Sequence, residues 1–238
     1  MKQLYVFICI LSMLSSCSSI KSIAVNDGAL PFLGTVGKQE SNLLKSKFIP
    51  VGNPKIIEPI QVMAHTIPFN KSSFKAYETS KGLTGSKSTV TYIDSLPNKP
   101  KYTVFSLHNK VGLKEVINHE QNQEVKNYLV ADSDYKIVSM MSVLLTSDEI
   151  NEISAADGLF LSTDSNDLLQ LEILNDNQKR KITIPQEELF DYTIMGVCWS
   201  ANRYGKPMVE TFSEYGKCPK GTEKNANNLN EFQSSLKL

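Results

Sequence analysis

Two cysteines near the carboxyl end of the chain, Cys198 and Cys218, are the residues whose type and placement most directly suggest chemistry. They can form a disulfide, remain a pair of buried thiols or supply half of a metal site. Zinc sites built from cysteine normally contain CxxC spacing, which this sequence lacks, so we predict no metal site and no cofactor. Cys198 could act as a nucleophile beside His108, but that reaction needs a free thiol.

The other residue types used in catalysis do not complete a known motif. No GxSxG sequence offers a serine nucleophile. His119-Glu120 begins like a zinc-protease motif, but Gln123 stands where the second histidine is needed. A glycosidase uses two carboxylates about 5 to 9.5 Å apart in a cleft, and three pairs could supply them: Asp132 and Asp134, Asp164 and Asp167, and Glu187 and Glu188. We interpret these pairs as surface acids on loops and predict no catalytic residue.

The stretch between the two cysteines is the part of the chain richest in residue types that dominate binding hot spots. Its candidate contact residues for a protein partner or a sugar-stacking surface are Trp199, Asn202, Arg203, Tyr204 and Tyr215. The competing interpretation is that Trp199 and Tyr215 are core aromatic residues that pack beside the cysteines.

The amino terminus carries a targeting pattern. Lys2 precedes an apolar run over 4–14, which is shorter than the about 20 residues that a membrane-spanning helix needs. The run leads into Leu14-Ser15-Ser16-Cys17. This segment resembles a bacterial lipoprotein signal peptide, and 14–17 matches the lipobox. The alternative is an ordinary secretory signal in which Cys17 has no role.

The resemblance implies that Cys17 is acylated and becomes the first residue of the mature protein. Two or more acyl chains hold a protein stably at a membrane surface. Ser18, directly after the cysteine, is similar to the sorting patterns that favour the outer membrane. An exported protein also meets oxidising conditions, which favours a Cys198–Cys218 disulfide over free thiols.

Composition narrows the remaining possibilities. Lys and Arg total 25, Asp and Glu also total 25, and the formal net charge is zero, so we predict no nucleic-acid partner. We divide the chain into a signal peptide over 1–16, a lipid-anchored tether over 17–52, a globular domain over 53–220 and a polar tail over 221–238. The globular part could consist of two subdomains, with a boundary near 130–150.

The pattern of apolar residues predicts an α+β fold, in which an antiparallel, hairpin-rich sheet has two or three helices packed on one side. We expect helices over 112–129, with a break near 118–123, and after the capping box at Thr146 and Glu149. We expect strands over 60–64 at a sheet edge, 88–93, 101–107, 135–145 in the sheet centre, 159–162, 168–174, 179–184, 190–199 and 208–213. The segment 82–87 is expected to be a flexible loop.

These observations predict a lipid-anchored envelope protein that acts as a binding or assembly module. Its partners would be the membrane, through acyl chains on Cys17, and an envelope protein or glycan. The alternatives are a hydrolase of envelope polysaccharide or peptidoglycan, and an inhibitor or immunity-type protein that presents the 198–218 loop.

Overall fold

Ten β-strands with antiparallel pairing form one sheet in this computed structural model, which describes residues 30–229 except 43, 44 and 96. The strands are β1 Val36–Asn42, β2 Lys45–Gly52, β3 Ile60–Pro68, β4 Lys101–Leu107, β5 Tyr135–Val143, β6 Gly158–Thr163, β7 Leu169–Asn175, β8 Gln178–Ile182, β9 Leu189–Ala201 and β10 Pro207–Ser213. Their order in the sheet is β10-β9-β5-β4-β3-β6-β7-β8, and β1 pairs with β2 and with β5.

The central strand is β5, whose sequence is apolar almost throughout. It pairs with β9 along one edge and with β4 and β1 along the other. Strands buried on both faces read as continuous apolar runs, which is the pattern here. Ile137, Met141 and Val143 are fully buried in the main core, and Leu144, just after the strand, packs against a second cluster on the other face.

The described residues contain four α-helices: α1 Lys71–Thr84, α2 Lys110–Asn118, α3 Gln123–Ala131 and α4 Ser147–Ala155. Three of them, α2 to α4, pack their apolar residues against the main core on one side of the sheet. Leu113 and Ile117 of α2 are fully buried there because they lie one turn apart on the same face of the helix. A 3₁₀ turn at Glu120–Asn122 separates α2 from α3.

Helix α1 covers the opposite face of the sheet. Along β4 the side chains alternate, so that Phe105 and Leu107 join the main core while Tyr102 joins a second cluster. This aromatic cluster consists of Phe69, Tyr77, Tyr102 and Phe190. Its rings meet in stacked, tilted and edge-to-face pairs, and four of these pairs have centroids 4.7 to 5.6 Å apart.

A buried ion pair fixes the end of α1 to the rest of the fold. The Lys81 amine donates to a Glu188 carboxylate oxygen at 3.1 Å and to the Glu187 carbonyl at 2.8 Å. Both acceptors lie in the 3₁₀ turn at Gln186–Glu188, directly before β9. Because removal of one partner from a buried pair leaves an uncompensated charge, this contact holds α1 in one position on the sheet.

The α+β class and the antiparallel sheet predicted from the sequence are confirmed. The structure has a break between α2 and α3, the capping box at Thr146 and Glu149, and the hairpin between β7 and β8. That hairpin turns at Asp176 and Asn177, which both have positive φ, as a tight hairpin turn requires.

Helix α1 was missed by the sequence analysis. The expected loop over 82–87 begins inside this helix, which ends at Gly85 with φ 68°, a left-handed conformation that glycine adopts without strain. The expected strand over 88–93 lies outside any strand, and β3 is an interior strand between β4 and β6 instead of an edge.

The expected domain boundaries also differ from the structure. Within the proposed tether over 17–52, Leu33 and Val36 are fully buried, and β1 and β2 belong to the sheet. The possible boundary near 130–150 falls on β5, which pairs with strands from both halves of the chain. Within the proposed tail, Ala226 and Leu229 are buried in the main core. The signal peptide and Cys17 lie outside the described residues.

Asn118 closes the outer edge of β10, and this predicts a measurable loss of stability. Its side-chain amide donates to the Val209 carbonyl at 2.9 Å and accepts from the Val209 amide at 3.0 Å, so it replaces a missing neighbouring strand. Because Val209 is fully buried, Asn118→Ala should lower the free energy of unfolding in urea by about 1–3 kcal/mol.

The matched control is Asn127→Ala on the exposed side of α3, where the Asn127 side-chain oxygen accepts from the Gln123 side-chain amide at 2.8 Å. This control should change the free energy of unfolding by less than about 0.5 kcal/mol. Equal unfolding midpoints for the two variants would contradict the role assigned to Asn118.

Candidate functional site

The predicted pairing of Cys198 with Cys218 is present as a disulfide, with the two Cα atoms 5.5 Å apart. Cys198 lies in β9 and Cys218 in the loop that follows β10. The bond therefore links the loop after β10 back to β9. Since both sulfurs are bonded, Cys198 has no free thiol in this state. It therefore cannot act as a nucleophile with His108 as its base.

Trp199 is not on a binding surface. Its side chain is 1% exposed and belongs to the main core. Its backbone amide donates to the Glu223 carbonyl at 2.7 Å and its carbonyl accepts from the Glu223 amide at 2.9 Å. The Trp199 backbone therefore holds the 221–229 segment, and its side chain packs in the main core. This agrees with the competing interpretation of this residue as a core aromatic.

The other candidate binding residues do not form one site. Asn202 shapes the β9–β10 turn, because its side-chain oxygen accepts from the amides of Tyr204 and Lys206. Arg203 lies over the Tyr204 ring at 4.7 Å, and Tyr204 is 70% exposed at this tip. Tyr215, 91% exposed, follows the opposite end of β10, and a strand of this length spans roughly 20 Å. These residues therefore do not share one surface in the structure.

The three acidic pairs considered for glycoside hydrolysis hold local structure. Asp132 pairs with Lys38 at 3.0 Å, and Glu188 pairs with Lys81. One Asp164 oxygen accepts from the backbone amides of Asn166 and Leu168. The Leu168 amide, followed by that of Asn166, holds the pKa of Asp164 below its usual range. Each of these carboxylates therefore has a structural partner.

The described residues contain no group of three or more His, Cys, Asp or Glu side chains placed to hold a metal ion. None of the helices in that part of the chain is long and apolar enough to cross a membrane.

A groove of about 350 Å³ lies between α2 and the segment that leads into β3. We call it the α2 groove; its lining residues are Ile57, Glu58, Pro59, Ile60, Asn109, Val111, Gly112, Glu115, Val116 and His119. Ile60 and Val116 are buried core residues at its base. Ile57 and Val111 are 46% and 68% exposed, so two large apolar side chains of the groove contact water. Its volume falls at the lower end of the range for ligand sites.

Local interactions fix the α2 wall of the groove. The Asn109 side chain caps α2 by accepting from the Gly112 amide at 2.9 Å. A Cβ at position 112 would lie 2.8 Å from the Asn109 side-chain nitrogen, so a larger residue there would have to displace the capping side chain. The cap orients the first turn of α2, which carries Val111 at the groove.

The facing wall is fixed by the preceding residues. The buried Asn122 side chain accepts from the Lys55 amide at 2.6 Å and donates to the Lys55 carbonyl at 2.9 Å. The Ile56 amide donates to the Thr163 hydroxyl at 2.8 Å. The chain then continues through the exposed residues 57–59 into β3, so the groove is built between two fixed walls.

Charge is distributed unequally around α2. On the side that faces β10, Lys110 pairs with Glu214 at 2.7 Å and Lys114 with Glu210 at 3.0 Å. The hydrogen bond from Lys114, followed by that from Ser200, lowers the pKa of Glu210.

On the groove side, neither Glu58 nor Glu115 forms an ion pair with a described residue. His119 turns its Nδ1 toward the Gln121 amide at 3.3 Å. The groove therefore combines exposed apolar side chains with two glutamates that have no ion-pair partner among the described residues.

Sequence reasoning missed this groove. His119 is exposed and also lines the groove. The available signal was an apolar residue at an exposed position of α2: Val111 precedes the buried pair Leu113 and Ile117 but lies outside their stripe. The facing wall at 57–60 gave no signal, because it meets α2 only in the folded chain.

The disulfide should contribute measurably to stability. The closed loop between Cys198 and Cys218 predicts a loss of about 3 kcal/mol on reduction, because the reduced unfolded chain has more conformational freedom. The measurement is urea unfolding of the protein without residues 1–17, with and without dithiothreitol. The Cys198→Ser/Cys218→Ser variant is the control and should unfold at one midpoint under both conditions. Wild-type protein that is insensitive to the reductant would contradict the prediction.

Comparison with known proteins gives no match of any kind: no protein-family model, no curated protein and no solved structure matches this chain.

Proposed function

We propose that this protein is a lipid-anchored protein of the bacterial cell envelope, at the outer membrane, that acts by binding a partner in the α2 groove. The observation that carries the binding role is the groove itself. It exposes Ile57 and Val111 beside two glutamates that have no ion-pair partner among the described residues. Exposed apolar side chains bordered by polar ones are typical of interaction sites.

The anchoring role rests on the lipobox-like sequence at 14–17. If Cys17 is acylated, only residues 17–29 separate the lipid from the first described residue, Leu30. A chain of that length reaches at most roughly 45 Å when fully extended. The Leu30 carbonyl accepts a hydrogen bond from the Gln186 side chain at 2.5 Å, so this end of the chain contacts the folded part. The α2 groove would then work close to the membrane surface.

Binding is favoured over hydrolysis of an envelope polymer. Glu58 and Glu115 do share the groove, which is the observation that keeps a hydrolase as the second candidate. However, the residues that line it include no tyrosine, tryptophan or phenylalanine on which a sugar ring could stack. An inhibitor or immunity-type role would present the 198–218 loop, whose exposed tip carries Arg203 and Tyr204.

The anchoring part predicts that Cys17→Ala moves the protein from the membrane fraction to the soluble fraction, because the variant has no thiol for acylation. Fractionation after a high-salt wash, read by immunoblot, measures this. Cys9→Ala is the matched control, since it removes a signal cysteine outside the lipobox and should leave the protein membrane-bound. Unchanged pelleting of Cys17→Ala would contradict the proposal.

The binding part predicts that a photoreactive amino acid at position 111 yields a discrete crosslinked adduct in cells. The control position is Leu83 on α1, whose exposed fraction, 68%, equals that of Val111. Helix α1 lies on the opposite face of the sheet, so position 83 should give no adduct of the same mass. Either no adduct at position 111 or the same adduct at both positions would contradict the role of the groove.

A further inference from the structure

Resting on the proposed function, we infer that the occupant of the α2 groove is an extended polypeptide segment with a large apolar residue two positions from a lysine or arginine. Three features of the groove support this occupant: its unpaired glutamates, its exposed apolar side chains, and the spacing of both along α2.

The charge of the groove selects a basic occupant. Glu58 and Glu115 stand on its two walls, and no lysine or arginine belongs to its lining. The lysines of α2 are not free to compensate them, because Lys110 and Lys114 are engaged by glutamates on the other side of the helix. A cation that enters the groove therefore meets two carboxylates without displacing an existing ion pair.

The apolar part of the groove selects a large aliphatic or aromatic side chain. Ile57 and Val111 are exposed, while Ile60 and Val116 complete the apolar surface below them. Removal of these side chains from water favours binding in proportion to the apolar surface buried. A purely charged occupant would leave these side chains in water.

The geometry of α2 sets the distance between the two contacts. Val111 and Glu115 are four residues apart, so they lie on one face of the helix with a rise of about 6 Å between them. In an extended peptide, alternate side chains point the same way and are spaced about 6.6 Å apart. An apolar residue over Val111 thus places the residue two positions along beside Glu115.

The backbone of the facing wall supports a polypeptide as the occupant. The amides of Ile57 and Glu58 donate to no described residue, whereas the Ile56 amide before them is used and Pro59 after them has no amide hydrogen. Both residues are exposed at the groove, where a bound main-chain carbonyl can accept from them. Main-chain hydrogen bonds with side-chain pockets for alternate residues are the usual basis of extended-peptide recognition.

The test is a titration of full-length protein, reconstituted in phosphatidylcholine nanodiscs, with the peptide GSLSKSG and observed through isotope-labelled isoleucine and valine methyl groups. A single apolar contact and a surface ion pair give weak binding, so the titration extends into the millimolar range. The methyl signals of Ile57 and Val111 should shift with saturation. Those of Ile93, which is also exposed but lies outside the groove, should not.

Three comparison peptides test each part of the inference. GSLSESG reverses the charge, GSSSKSG removes the apolar residue, and GSLKSSG changes the spacing. Each should bind at least about fivefold more weakly than GSLSKSG. Equal binding of the charge-reversed or the respaced peptide would overturn the inference, and so would the absence of any saturable shift with GSLSKSG.

A charge-reversed protein provides the second arm. Glu115→Lys should abolish the preference for GSLSKSG over GSLSESG, whereas Glu78→Lys, the same change at an exposed position of α1, should keep the wild-type preference. An unchanged preference in Glu115→Lys would overturn the inference. A position-111 adduct in cells with no peptide selectivity rejects only the peptide class, whereas absence of that adduct rejects the proposed function itself.

Discussion

The fold depends on the burial of β5 from both faces of the sheet. Ile137, Val138, Met141 and Val143 are fully removed from water, and β5 has pairing partners on both edges. A strand with buried residues on both faces must be covered by other elements on each face of the sheet. Helices α2 and α3 with the main core supply one cover, and the aromatic cluster under α1 supplies part of the other. The Lys81–Glu188 ion pair connects helix α1, which lies on that second face, to the 3₁₀ turn before β9.

Helix α2 contributes residues to the main core, to the edge of β10 and to the α2 groove. Its stripe of Leu113 and Ile117 enters the main core, Asn118 completes the edge of β10, and Val111 and Glu115 face the groove. Because 3.6 residues make one turn, Leu113 and Ile117 share one face and Val111 and Glu115 another, while Asn118 lies two turns from Val111 at the carboxyl end of the helix. A binding surface on such a helix is held rigidly, since it cannot move without disturbing the core.

The elements that could be predicted from the sequence are those whose stabilising contacts are local. The capping box of α4 and the β7–β8 turn each form within a few residues of chain. Strand β5 could be predicted from its nearly continuous apolar sequence. Helix α1 was missed because its decisive partner, Glu188, is 107 positions from Lys81. The 88–93 segment has β-branched alternation but no partner strand, and pairing, more than propensity, decides whether a strand forms. The groove escaped prediction for the same reason as α1, since its two walls meet only in the folded chain.

The predicted disulfide and the unpredicted groove are connected through β10. The bond between Cys198 and Cys218 ties the loop after β10 back to β9, and Asn118 holds the other side of β10 against α2. This fixes Glu210 and Glu214 opposite the two lysines of α2. If β10 were free to move away, those lysines would lose their partners and their charge would offset that of Glu115 on the same helix. The oxidised hairpin therefore keeps the lysines on the β10 side, and the groove keeps the negative charge that the proposed basic segment would contact.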